Sequence, residues 1–232
     1  MDKKENNLEN ITCPIPISRS DIVSIGHGSG GSLTKQLITS IFVKYFSNPI
    51  LDQENDFADI SFPEMKIGYR IVTSTDAHVV SPIFFPGGDI GRLAVAGTVN
   101  DISMSGGTPK YLTVSFIIEE GMPIDQLEKI ASSMKVCADE AGILIVSGDT
   151  KVVEKGKADQ IFISTSGIGI VPANRIINGS SAQIGDSVII SGTIGDHGIA
   201  VLGARNELGF STSIESDAGP LNHLIHSMLT AA

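Results

Sequence analysis

The sequence predicts an α+β protein, in which an N-terminal α/β domain is followed by the beginning of a second, truncated α+β domain. Two observations carry this prediction. β-Branched apolar runs at 70–76, 111–118, 142–151 and 161–171 alternate with helical periodicity over 89–104 and 123–141. Beyond Pro172 only one clear strand pattern and two helical patterns remain, too little to close a separate core. At 232 residues the chain suffices for one large domain or two small ones, and it can bury roughly 70% of its unfolded surface.

Taken in order, residues 1–20 read as a flexible arm, polar at first and then Cys13-Pro14-Ile15-Pro16, which excludes helix. The main domain is expected over 21–172 and the start of the second over 173–232. A glycine-rich loop, Gly26-His27-Gly28-Ser29-Gly30-Gly31, runs into a helix capped by Ser32, with Leu33, Leu37, Ile41 and Tyr45 as its stripe. The loop lacks the Walker ending and no dinucleotide fingerprint is present, so by itself it reads as a flexible turn. Residues 47–68 form an acidic loop containing Asp52, Glu54, Asp56 and Asp59, the ordinary pattern of a solvated surface. Arg70–Asp76 is then a strand delivering an acid at its tip.

The stretch Pro86–Gly107 is the centre of the organisation. Gly87-Gly88 allows a sharp turn or a close approach. Asp89 is a natural N-cap, and Leu93, Gly97, Asn100 and Met104 fall on one helical face. Asn100-Asp101 puts an amide and a carboxylate side by side on a helix weakened by glycine and serine. Two readings stand: a helix N-terminus presenting N–H groups to phosphate, or a tight helix–helix contact with Asp101 at its solvated edge.

Tyr111–Ile118 is a further buried strand. Pro123 opens a helix with Leu127, Ile130, Met134, Cys137 or Ala138, and Ala141 on one face. The strand from Gly142 is expected to end in Gly148-Asp149-Thr150-Lys151, where carboxylate, hydroxyl and ammonium meet at one tip. Lys155, Lys157 and Asp159 mark a solvated turn. Gly167 and Gly169 within strand 161–171 indicate a bulge or a close backbone approach. In the second unit, a turn at Gly185-Asp186 leads to a strand over Ser187–Ser191, and helices open near Asp196 and Pro220. His223 and His226 lie beside the last helical stripe and read as surface histidines.

Composition excludes several classes. A net charge of −10 argues against non-specific nucleic-acid binding. No run approaches the ~18 apolar residues of a membrane span, and the N-terminus has no signal-like stretch, so a cytoplasmic protein is expected. Two cysteines at unrelated positions form neither a disulfide framework nor a metal knuckle.

Four carboxylates stand where chemistry is plausible: Asp56, Asp76, Asp101 and Asp149. Brought together they would form an oxygen-rich Mg²⁺ site able to hold a triphosphate, with Lys151 neutralising charge on a transferring phosphoryl group.

HGSGG at 27–31, STDAHVVSPIFFPGGDIGRLAVAGTVND at 74–101, FIIEEG at 116–121, SGDTKVV at 147–153 and SGTIGDHG at 191–198 resemble the HypE family of hydrogenase maturation proteins. The likeness covers nearly the whole chain after its first twenty residues. The family shares a superfamily with aminoimidazole ribonucleotide synthetase, selenophosphate synthetase and thiamine-monophosphate kinase. The resemblance implies a PurM-like two-domain architecture and a homodimer whose N-terminal sheets pair into a shared barrel. ATP is then expected near that interface. By the same resemblance Asp56, Asp76, Asp101 and Asp149 match the metal-binding acids. Gly87, Gly88, Asn100, Thr150 and Lys151 match positions near the phosphates, and His27, Gly28, Gly30 and Gly31 lie in a segment that closes over the nucleotide. Asp101 and Lys151 are the residues expected to act in catalysis.

The implied reaction uses ATP to dehydrate a thiocarbamate carried on a C-terminal cysteine. Phosphorylating the amide oxygen makes a leaving group, and loss of phosphate and a proton leaves an S-cyano group for the iron of a [NiFe] hydrogenase. The implied partners are the carbamoyltransferase HypF and the HypC–HypD complex. Neither Cys13 nor Cys137 matches the family's terminal thiol, and with the sequence ending at Ala232 the expectation is an incomplete member. The alternatives are an ATP-dependent relative acting on a free small molecule, and a non-catalytic dimerisation and docking module.

Overall fold

Ten residues of alternating pattern, from Tyr69 to His78, build the strand on which the candidate chemistry rests. Val72, Ser74 and His78 are buried on one side of it, while Tyr69, Thr75 and Ala77 are exposed on the other. The computed structural model describes residues 31–37, 39, 47, 49, 51–55, 58–60, 68–205 and 213–231. The chain divides into two units, Met1–Asp52 and Gln53–Ala232. In the first, helix α1 (Ser32–Leu37) follows Gly31, whose carbonyl accepts from the Lys35 N–H at 3.1 Å, and Ser47 Oγ donates to Asp52 at 2.8 Å.

The second unit is a sheet with helices on one face. Its strands are β1 (Ala58–Ile60), β2 (Tyr69–His78), β5 (Thr108–Glu119), β6 (Leu144–Val153) and β7 (Ile161–Pro172), in the order β1-β2-β7-β5-β6. All neighbours are antiparallel except β5 and β6, which run parallel through the crossover helix α3 (Ile124–Ala141). A two-residue pair, β3 (Phe84–Phe85) with β4 (Gly88–Asp89), leads into α2 (Ile90–Met104).

Helices α2 and α3 cover the side of the sheet that carries Val72, Leu112, Val114, Ile161 and Ile163. Ile90, Val95, Val99, Ile130, Met134 and Cys137 complete the core. The helices meet closely: a Cβ on Gly91 would come within 2.7 Å of the Ile130 carbonyl oxygen. Gly167 and Gly169 let α2 lie on β7, because Cβ atoms there would strike Thr98 and Ile102 at 2.7 and 2.5 Å. The irregularity expected near them falls on the partner strand β5, between Pro109 and Tyr111. Among the described residues the opposite face of the sheet is open, and Tyr69, Tyr111, Ile117 and Ile168 are exposed there.

The buried stripe of α2 is Ile90, Ala94, Val95, Thr98, Val99 and Ile102, and Met104 is exposed. Two expectations need correction. No strand forms at Ser187–Ser191. Val188, Ile189 and Ile190 are 95%, 75% and 67% exposed, and among the described residues no neighbouring strand offers that segment a ladder. Finally, β6 does not stop at Lys151 but continues to Val153. The remaining helices are α4 (Asp196–Arg205) and α5 (Asn222–Ala231). Among the described residues no helix is long and apolar enough to cross a membrane.

Candidate active site

Asp89 closes the N-terminus of α2 from within. Its carboxylate accepts from the N–H groups of Gly91 and Arg92 at 2.7 and 3.1 Å, and the Ile90 N–H donates to Ile83 O at 2.9 Å. The close approach foreshadowed by Gly87 is to the protein's own chain. Gly87 has φ +86, a Cβ there would lie 2.6 Å from Ser216 N, and the Ser216 N–H donates to Pro86 O at 2.8 Å. At Gly88 a Cβ would instead press on the Phe85 ring at 3.3 Å.

The segment 213–221 continues across α2. Arg92 Nε donates to Ala218 O at 2.7 Å while its other nitrogens hold Glu140 in a two-point pair. The Asn100 amide donates to Gly219 O at 3.1 Å and accepts from the Leu221 N–H at 2.7 Å. His197 Nδ1 meets Ser216 Oγ at 2.9 Å, and its ring stands edge-on to Phe85. His223 Nε2 reaches Glu140 O at 2.9 Å, so this histidine fastens α5 to α3. Nothing in the composition of 213–221 marked it as the partner of the Pro86–Gly88 turn.

Two carboxylates line the space between β2 and α2, Asp76 beneath Gly97 and Asp101 one helical turn further along α2. Ser74 Oγ donates to Asp101 Oδ2 at 2.9 Å. Asp76 lies two residues from Ser74 on the same strand face, a step of roughly 7 Å. Its Oδ1 accepts from the Ala77 N–H at 2.7 Å. Oδ2 lies 3.4 Å from Nε2 of His78, which is 6% exposed. The same nitrogen is 3.3 Å from Thr165 Oγ1, itself 2.6 Å from Thr98 Oγ1 under the helix. Burial lowers the His78 pKa from its ordinary value, against the pull of the Asp76 charge. Ser74 and His78 lie within the motif beginning at residue 74, but neither is singled out there as a site residue.

Asp149, Thr150 and Lys151 are elsewhere. The register runs Asp76↔Thr165, Thr165↔Val114 and Val114↔Gly148, so β6 lies three strands from β2, roughly 14 Å away. Asp149 and Lys151 stand opposite Ser115 and Ile117 and therefore share the open face, whereas Asp76 faces α2. Thr150, opposite Phe116, points to the other side from its two neighbours. All three are exposed on the edge strand. Within one chain Asp76 and Asp101 thus lie along the same side of β2, Asp101 against Ser74 and Asp76 one strand step further, and Asp149 lies apart. Among the described residues no group of three or more Asp, Glu, His or Cys side chains closes on a metal position. Asp56, His27, Gly28 and Gly30 lie outside the described residues; Gly31 is described and exposed.

Residues 58–171 match the family model of the AIR synthase related protein, N-terminal domain. Carbamoyl dehydratase HypE of Cupriavidus necator is 51% identical over 211 residues, covering 91% of this chain and 59% of its own length. The crystal structure of a HypE–HypF complex superposes with a TM-score of 0.77 at 52% identity, over 84% of this chain and 62% of that one. A HypE crystallised in complex with ATP gives a TM-score of 0.66 at 45% identity, over 90% and 61%. The chain spans about 60% of the length of the curated relatives it matches. These matches run through the strands, the central helix and the crossover, and the architecture is the PurM-like α+β fold. On sequence and on structure alike, the chain belongs to the HypE family.

Proposed function

We propose that this chain supplies the nucleotide-binding part of an ATP-dependent carbamoyl dehydratase in hydrogenase maturation. The reaction converts a protein-borne S-carbamoyl group to S-cyanide for the iron of a [NiFe] hydrogenase. The observation that carries the reading is the paired placement of Asp76 and Asp101, each held by donors of the second unit at one rim of the sheet. Support also comes from the relatives named carbamoyl dehydratase and from the HypE crystallised with ATP.

Two carboxylates with oxygen donors only are a fitting start for Mg²⁺, which keeps water and phosphate oxygens in its other positions. When bound, the ion would neutralise charge on the phosphates and hold them in line. Asp76 and Asp101 would hold it, with Asp149 as a further ligand, and Lys151 would place its ammonium over charge developing on the transferred phosphoryl group. Asn100 and the Gly87-Gly88 turn act on this reading through the segment they hold, and Thr150 acts from the edge strand.

Asp149 and Lys151 stand on the wrong face and the far edge to reach Asp76 in the same chain. We therefore assign them to the site of a second copy. The apolar open face and the exposed β6 edge, with Leu144, Val146 and Val152 at 63%, 53% and 67% exposure, favour a homodimer. HypF is the proposed carbamoyl donor and HypC–HypD the acceptor of the cyano group, in the cytoplasm. The domain boundary is proposed near Pro172, where the family model ends.

The reading is tested by calorimetric titration of the 232-residue chain with Mg–ATP, beside Asp101→Asn. Saturable binding that the variant loses supports it. Absence of binding in the unaltered chain, or equal binding by the variant, overturns it.

A further inference from the structure

His78 is a buried imidazole that the nucleotide reading does not use. Its position is specific. Gly97 lies directly above it, and a Cβ there would come within 3.1 Å of His78 Cε1 and 3.2 Å of Asp76 Oδ2. The missing side chain at Gly97 is thus what lets imidazole and carboxylate sit together beneath α2. An ionised carboxylate only accepts hydrogen bonds. The ring can donate toward Asp76 only with a proton on Nε2, and that nitrogen lies 3.4 Å from Asp76 Oδ2 and 3.3 Å from Thr165 Oγ1. Thr165 is in turn tied to α2 through Thr98.

Asp76 therefore has a neighbour at each oxygen: the Ala77 N–H donates to Oδ1, and His78 Nε2 stands 3.4 Å from Oδ2. These two contacts bear on its orientation, and the carboxylate remains 42% exposed. Outer donors of this kind orient carboxylate ligands, and losing one typically costs 10–100-fold in metal affinity.

We propose that His78 is a positioning residue, holding the Asp76 carboxylate in the orientation in which it meets a magnesium–nucleotide complex. This rests on the assignment of Asp76 to that complex. The test titrates the full 232-residue chain with Mg–ATP by calorimetry, in His78→Phe, His78→Gln and Asp76→Asn forms, with a thermal melt of each. His78→Phe keeps the ring and removes the donor; His78→Gln keeps an N–H of similar reach.

The expected result is an increase in Kd of about 10-fold for His78→Phe, with His78→Gln close to the unaltered chain. Equal weakening in the two His78 variants would mean a packing role alone and overturns the proposal. Weak binding by Asp76→Asn with normal binding by His78→Phe overturns the role of His78 and leaves that of Asp76. Normal binding by Asp76→Asn, or none by the unaltered chain, overturns both. Should His78→Phe fail to fold, ¹⁵N NMR of the unaltered protein decides. A proton on His78 Nε2, with a shift that moves in Asp76→Asn, supports the proposal, and a proton on Nδ1 overturns it.

Discussion

Asp76 and Asp149 lie on opposite faces of one sheet, three strands apart, although their sequence contexts present them as equivalent strand-borne acids. A site that uses both draws them from different copies. Mixing Asp76→Asn with Asp149→Asn protein should then restore Mg–ATP binding, because each mixed dimer holds one intact site. With random exchange, roughly a quarter of the unaltered site number is expected by calorimetry. A mixture no better than its components would place the whole site in one chain.

The open face gives a second prediction. Ile117 and Ile168 are 42% and 39% exposed in the single chain, so charging them costs the fold little. Ile117→Lys with Ile168→Lys should raise the dimer dissociation constant on the order of 100-fold by removing the centre of an apolar contact. Analytical ultracentrifugation reads the loss, and circular dichroism should stay unchanged.

Two glycines separate contact from propensity. Gly91→Ala drives a methyl to 2.7 Å from Ile130 O and 2.8 Å from Met134 Cγ, and should destabilise by about 2–3 kcal/mol in urea unfolding. Gly198→Ala in α4 meets nothing within 4 Å and should stabilise by roughly 0.5–1 kcal/mol through helix propensity.

Asn100→Ala removes both hydrogen bonds from the backbone of 219–221. A loss of about 1–2 kcal/mol is expected, localised as faster amide exchange at Leu221. Uniform acceleration across α2 would show instead that Asn100 supports the helix itself.

Cys137 supplies a pH signature. Burial pushes its thiol up to about 11, so in the folded protein it stays protonated at a pH where the unfolded chain has begun to ionise. A folded-state pKa above the unfolded value contributes stability below about pH 9 that is lost as pH rises towards 11. Unfolding free energy should fall across this window by at most roughly 2–3 kcal/mol, and Cys137→Ala should lack that component of the slope. Alkylation of Cys137 in the folded protein at pH 8 should be negligible by peptide mass spectrometry.

Much of this architecture is legible in the residues. Asp89 announces the cap of α2, and the stripe Ile130, Met134, Cys137 and Ala141 announces α3, because period and capping are local properties. What is not local is lost. Gly148-Asp149 reads as a strand end, yet the edge strand runs on to Val153, so Asp149, Thr150 and Lys151 alternate between the two faces instead of meeting at one tip. Val188–Ile190 has strand composition, but a strand also needs a neighbour. Gly87-Gly88 signals a close approach without naming the visitor, which is Ser216. His78 is one histidine in an apolar alternation, and its meaning arises only when Gly97 is set above it.

The clasp of Asn100 on Gly219 closes a loop of 119 residues. During synthesis, the sheet and α2 can assemble before its far end has left the ribosome, since long-range contacts form late. The Pro86 carbonyl and the Asn100 amide take their partners from that far end, from Ser216, Gly219 and Leu221.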